Sequence, residues 1–351
     1  MSSFRSVVYF LCLFFVTYFI YVYPYDVINY FLIKESIFKT TSLISTLFIY
    51  LIIIFYFKTK NTFFLFKLIV HQGIGIGFIS FWITNISLIF YILFPIHSLY
   101  LGLTTIFLIF LLCCFSFIKG NLIYYKKINI TSNKVSKKIR LIFLSDIHLG
   151  SNSKKHLEKI CSKLNSLKFD LLLIGGDLID SSNFNIDELK ILKSIKKPIL
   201  FVSGNHEYYL KDYKSKLKSL ENYNLIFLDN KNFKYSNLNI VGISDNQTLQ
   251  SQEVIMKKLI NKNLFNLILV HRPKLWNYIT KNIDLMLSGH THKGQIFPFS
   301  IFVKLQYKNI YGLYEKLNSK LYVSSGCGCW GPKMRLGTNN EIVDILISSQ
   351  K

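Results

Sequence analysis

Residues 141–150 read LIFLSDIHLG, and this stretch decides how the chain is organised. An apolar run ends in Ser145-Asp146-Ile147-His148. Such a run, short and closed by polar residues, reads as a buried strand. Asp146 and His148 stand two apart where that strand meets its loop. Side chains two apart on an extended backbone point the same way. The pair can therefore converge on one point, as metal ligands must.

The same pattern recurs along the chain. Leu171–Ile174 runs into Gly176-Asp177-Leu178-Ile179-Asp180, and Ile199–Val202 into Gly204-Asn205-His206-Glu207. Leu267–Val270 ends at His271, and Leu285–Leu287 leads to Gly289-His290-Thr291-His292. Ligands of α/β sheets bind outside the carboxyl ends of strands, which is where these clusters fall. The candidate metal ligands are Asp146, His148, Asp177, Asn205, His271, His290 and His292. Mixed nitrogen and oxygen donors suit Mn, Fe or Zn better than an all-oxygen Mg or Ca site. The set is too large for one tetrahedral ion. It fits two divalent ions sharing a carboxylate, and Asp177, from the middle strand, is the natural bridge. Such a pair can clamp a phosphoryl group and activate a water near neutral pH.

Charge divides the chain of 351 residues unevenly. Residues 1–118 hold six of the 42 basic residues and two of the 19 acidic ones. Four apolar stretches there, at about 6–23, 40–57, 72–94 and 98–118, are long enough to span a bilayer. Gly73-x-x-x-Gly77 offers a helix-packing face in the third. Pro24, following the first without a small-x-small site, argues against signal cleavage. The loop of residues 58–67 carries three Lys and no acid, whereas in that of 24–39 two Lys are offset by Asp26 and Glu35. Basic loops stay inside, so both termini and the second half are expected in the cytoplasm of a multi-pass inner-membrane protein. Six cysteines without a paired spacing argue against a disulfide framework.

Residues 119–138 read as a basic linker or opening hairpin, and 139–351 as one domain of alternating strands and helices. Helices are expected at Lys154–Leu167, Ile186–Ile195, Tyr208–Leu220, Gln252–Ile260 and Lys274–Lys281. Further strands are expected at Asn224–Leu228, Leu238–Ile243, Leu321–Ser324 and Ile342–Ile347.

The blocks D-x-H (Asp146, His148), G-D-x-x-D (Gly176–Asp180), G-N-H-E (Gly204–Glu207), His271 and G-H-x-H (Gly289–His292) resemble, in content and order, the calcineurin-like metallophosphoesterases. The segments Ser288–Ile296, Tyr322–Gly328 and Gly331–Arg335 are most similar to its YkuE/YaeI-type branch. The resemblance implies an α/β/β/α sandwich of two sheets after the transmembrane region. It implies one metal on Asp146, His148, Asp177 and His292, and a second on Asp177, Asn205, His271 and His290. It makes His206 the proton donor to the leaving oxygen, oriented and kept charged by Asp180. Ser181 stands where the protein-phosphatase branch has Arg, which argues against a phosphoprotein substrate. Lys293 stands where the branch usually has Gly, as a phosphate contact or a solvated loop residue.

The expected function is hydrolysis of a phosphodiester or pyrophosphate, with lipid character favoured by the membrane spans, through attack by a hydroxide held between the metals. Two alternatives are a cyclic-nucleotide or nucleic-acid phosphodiesterase and a non-catalytic sensor of phosphate ligands. No nucleic-acid module is evident, and the sequence says nothing of an oligomer.

Overall fold

The structure, a computed structural model, describes residues 3–59 and 64–349. It divides into two compact units: residues 1–118 with 331–334, and residues 119–330 with 335–351.

The first unit is helical. Four helices are long and apolar enough to cross a membrane: Arg5–Ile33, Thr40–Thr59, Leu65–Leu93 and Ser98–Asn121. The first runs ten residues past the expected end at Tyr23. A π turn at Tyr18–Val22 precedes Pro24, which then falls in the first turn of the next helical segment. There its missing N–H costs nothing. Asp26 thus belongs to the helix and not to the loop, is buried, and accepts from Ser42 Oγ at 2.9 Å. The third helix begins seven residues before residue 72, again through a π turn, Leu68–Gln72. Residues 60–63 of the loop between the second and third helices lie outside the described residues.

Glycines set the closest approach in this bundle. A Cβ on Gly77 would stand 2.1 Å from the Ile20 carbonyl oxygen, and one on Gly73 would stand 2.7 Å from Tyr21 Cε1. The Gly73/Gly77 face is therefore where the third helix meets the first, without side-chain bulk between them.

The second unit is a sandwich of two six-stranded sheets. Its strands are β1 (Ile123–Thr131), β2 (Ile139–Leu144), β3 (Leu171–Gly175), β4 (Ile199–Val202), β5 (Leu225–Phe227), β6 (Lys231–Tyr235), β7 (Leu238–Ile243), β8 (Phe265–Val270), β9 (Leu285–Ser288), β10 (Gly312–Lys316), β11 (Ser319–Val323) and β12 (Asn340–Ser348). One sheet has the order β1-β12-β2-β3-β4-β5 and the other β10-β11-β9-β8-β7-β6. In the first, β2 to β5 are parallel, while β12 runs antiparallel to β2 and parallel to β1. Residues 123–131, expected as linker or hairpin, thus form an edge strand.

Alternation explains the layers. Leu141 and Phe143 of β2 face the second sheet with Leu171, Leu173, Leu267 and Leu285. Ile142 and Leu144 face the helical layer of Leu157, Ile160 and Leu164. Beyond the second sheet, Val241, Ile268 and Met286 pack on Met256, Leu275 and Trp276. Strands buried on both faces read as unbroken apolar runs. The α/β/β/α layering sets the carboxyl ends of β2, β3 and β4 against those of β8 and β9.

Replacing Gly77 with Val should force the first and third helices apart, at a cost of about 1–3 kcal/mol for overpacking. The variant should melt at a lower temperature than the wild type in detergent. An unchanged melting temperature would show that the two helices do not meet at Gly77.

Candidate metal centre

Each candidate ligand sits just past a strand end. Asp146 lies two residues after β2, Asp177 two after β3, Asn205 three after β4, His271 directly after β8 and His290 two after β9. The convergence of Asp146 and His148 does not come from strand alternation, because β2 ends at Leu144. Both residues adopt left-handed conformations, with φ of 54° and 51°, as do Asp177 (53°), His290 (73°) and His292 (47°). Such conformations are rare for residues with a side chain and cluster at functional sites.

The loops hold one another in these shapes. The Asp146 amide donates to the Gly176 carbonyl at 3.0 Å and the His148 amide to that of Asp177 at 2.9 Å. The His290 amide donates to the Asp146 carboxylate at 3.0 Å. Glu207, fully buried, accepts from the amides of Asp177, Ile179 and Gly204 at 3.0, 3.0 and 2.7 Å. The motif glycines make room: a Cβ on Gly204 would meet Asp177 Oδ1 at 2.2 Å, and one on Gly289 would meet Asp146 Oδ2 at 2.3 Å.

All seven candidates meet in one buried cluster. Asp146, His148 and His292 form one triad of close donor atoms, and Asp177, His271 and His290 another; a third joins His148, Asp177 and His206. Asp177 belongs to two of the three. His148 Nε2 faces His292 Nε2 at 3.0 Å, His290 Nδ1 faces His271 Nε2 at 3.1 Å, and Asn205 Oδ1 lies 3.2 Å from His271 Nε2.

Among the described residues, the ion-pair partners of Asp146 and Asp177 are histidines alone. Burial alone would lower the His271 imidazole, but Asp177, Asp146 and Asp245 push it up to about 10. Burial, with their charged neighbours, holds His290 and His292 well below the ordinary histidine value. Acceptor atoms packed together in this way, with carboxylates that lack any Lys or Arg, are the donor set of divalent cations. The residues present therefore fit bound metal.

Outer contacts fix several rings. The Tyr307 hydroxyl lies 2.8 Å from His290 Nε2, which leaves Nδ1 for the centre. The fully buried Arg335 donates to the carbonyls of His292 and Gly328 at 3.1 and 2.6 Å. Sequence reasoning assigned neither residue a role: Tyr307 sits in no motif, and a lone Arg carries no local signal of burial.

His206 stands at the rim, its ring 5.5 Å from that of Tyr209 and 5.6 Å from that of Trp330. The expected Asp180 partner is engaged elsewhere. Asp180 accepts from Ser151 N and Oγ at 2.9 and 2.5 Å and lies 3.4 Å from His148 Nδ1. The structure shows no hydrogen bond between Asp180 and His206. Burial lowers the His206 imidazole to about 4, against the upward pull of Asp177 and Asp180. Lys293 lies over the Tyr311 ring at 4.6 Å.

Residues 139–294 match the family model described as calcineurin-like phosphoesterase. An uncharacterized metallophosphoesterase of Bacillus subtilis is 30% identical over 225 residues, which cover 82% of that protein and 59% of this chain. The chain belongs to the calcineurin-like metallophosphoesterase family. An uncharacterized metallophosphoesterase of Campylobacter jejuni is 34% identical over 241 residues, 64% of this chain and 63% of that one. The zebrafish (Danio rerio) transmembrane protein with metallophosphoesterase domain is 30% identical over 231 residues, 60% of this chain and 53% of that one. The matched regions thus span less than two thirds of these last two relatives.

In this metallophosphoesterase, Glu207→Gln would set an amide NH₂ against a backbone N–H that now donates to the carboxylate. Metal affinity should fall about 10–100-fold, as for other residues that support ligands, and the metal-free protein should melt at a lower temperature, because a buried amide donor loses its acceptor. Calorimetric Mn titration measures the affinity.

Proposed function

We propose that this metallophosphoesterase is a membrane-anchored hydrolase of phosphodiester or pyrophosphate bonds, acting with two divalent ions. The observation that carries the reading is the place of Asp177, whose carboxylate belongs to the triad with His271 and His290 and lies 3.8 Å from His148 Nε2 of the triad Asp146, His148 and His292. One ion would be held by Asp146, His148, Asp177 and His292, and the other by Asp177, Asn205, His271 and His290. Mn, Fe and Zn all suit this donor set. Bound divalent ions supply Lewis-acid polarisation of the phosphoryl group and a deprotonated water at neutral pH.

The chain's own residues do the rest. Glu207, Tyr307 and Arg335 orient the loops and rings that carry the donors. Asp180 braces His148 through its Nδ1 side and ties the Ser151 loop to it. His206, at the rim, is the proton donor to the leaving oxygen. The negative charge of a phosphoester beside it would favour its protonated form, since a nearby opposite charge raises an imidazole's pKa. Tyr209 and Trp330 confine its ring. The four apolar helices favour a substrate carried by a lipid, and a cytoplasmic catalytic unit follows from the loop lysines. A reporter fused after Lys351 should read cytoplasm, and an external reading would reverse that orientation.

The full-length protein loaded with Mn should hydrolyse bis-p-nitrophenyl phosphate. His206→Ala should keep its metal but slow the cleavage of alkyl esters about 10²–10⁴-fold, the usual worth of a general acid. It should harm p-nitrophenyl esters much less, because nitrophenolate leaves without a proton. Equal losses on both leaving groups would remove His206 from the proton-donor role.

A further inference from the structure

The helix Phe299–Gln306, sequence FSIFVKLQ, is turned inside out for a water-soluble surface. None of its eight side chains is buried. Ser300 and Val303 lie half-buried on the inner face, while Ile301, Phe302 and Leu305 point outward and are 54, 48 and 83% exposed. Phe297 and Phe299 beside them are also exposed. A contiguous apolar face of this kind on a surface marks a binding surface.

The helix is strapped to the metal centre at both ends. Six residues separate His292 from Phe299, and along them the Phe297 amide donates to the Leu336 carbonyl at 2.9 Å. At the other end, Tyr307 follows the last helical residue, and its hydroxyl meets His290 Nε2. The Thr291 hydroxyl, between His290 and His292, donates to the Ile310 carbonyl at 2.6 Å. Gln295 is bonded in both directions to the Trp330 backbone, at 2.9 and 3.0 Å, and Trp330 stands exposed beside His206. An apolar rim therefore leads from the mouth of the site to the outward helix.

Charge selects the partner. From Ser288 to Tyr314 there are three Lys (293, 304 and 308) and no Asp or Glu. Lys304 and Lys308 are exposed and flank the apolar face. An apolar face with lysines at its margin and an aromatic Trp at its edge is the composition of helices that lie in the plane of an anionic bilayer. The chain carries four helices able to cross a membrane, so a bilayer is always within its reach.

We propose that residues 297–306 are a membrane-surface element, docked on anionic lipid, that opens the metal centre toward phosphoesters borne by lipids. The docking rests on this helix alone, and the substrate class rests on the phosphoesterase reading above.

The test uses the full chain in nanodiscs of phosphatidylcholine and phosphatidylglycerol. A photoreactive benzoylphenylalanine placed at 305 should crosslink to lipid on illumination, and the same probe at the exposed Lys190 position should not. Crosslinks from 305 to a second protein chain, or none at all, would overturn the docking. The second arm compares hexadecyl p-nitrophenyl phosphate in the bilayer with soluble bis-p-nitrophenyl phosphate, which share a leaving group. Joint Ile301→Ser, Phe302→Ser and Leu305→Ser substitution should lower the ratio of the first rate to the second by about tenfold or more. An unchanged ratio would overturn the link between docking and substrate. Absence of turnover on both esters would count against the phosphoesterase reading instead, and the crosslinking would still decide the docking.

Discussion

Buried carboxylates and imidazoles are pressed together here without a lysine or arginine paired to Asp146 or Asp177. That is costly, since a buried charge without a partner is strongly disfavoured. The free energy that offsets it comes from the two sheets, whose apolar strands align five loops at one edge of the sandwich. It also comes from the loops themselves, where Asp146 reaches Gly176, His148 reaches Asp177 and His290 reaches Asp146. Each left-handed residue is held by a neighbour that another strand supplies. The cost therefore falls on no single residue, and cations entering the cluster relieve it where it arises.

This division of labour explains the contrast between the inside and the rim. Inside, three rings have their second nitrogen or their backbone fixed: Tyr307 for His290, Arg335 for His292, and the Gly175 carbonyl, 2.9 Å from Nδ1, for His271. At the rim, His206 makes ring contacts with Tyr209 and Trp330, and its Nε2 lies 3.9 Å from Asp177 Oδ2.

Much of this was legible in the sequence because the chemistry is local to it. Polar clusters directly after apolar runs mark strand ends, and the glycines beside them mark close backbone approaches. The reason expected for convergence was nevertheless wrong, since left-handed turns and not strand alternation bring Asp146 and His148 together. Asp180 makes its hydrogen bonds to Ser151 and lies beside His148, neighbours that spacing alone does not separate from His206. Pro24 read as a terminator, yet a π turn just before it places it in a helical first turn. The unexpected strands β1, β6 and β10 are edge strands, and their exposed lysines (Lys126, Lys231 and Lys316 among them) hide the apolar signal. Tyr307 and Trp330 reach the site only through tertiary packing, which no window of sequence contains.

The place of β12 has a consequence for biosynthesis. It is the last strand in the chain, yet it lies between β1 and β2, and its Asn340 holds the Gly120 carbonyl while its Glu341 accepts from Tyr322 and Ser324. During translation β1 and β2 emerge first and must wait, with a strand-wide gap between them, for residues 340–348. Until that gap is filled, β2 has an open edge next to the loop it carries with Asp146 and His148. The loops that carry the candidate ligands are therefore backed by a complete sheet only after residues 340–348 have been made, later than the apolar helices of residues 5–121.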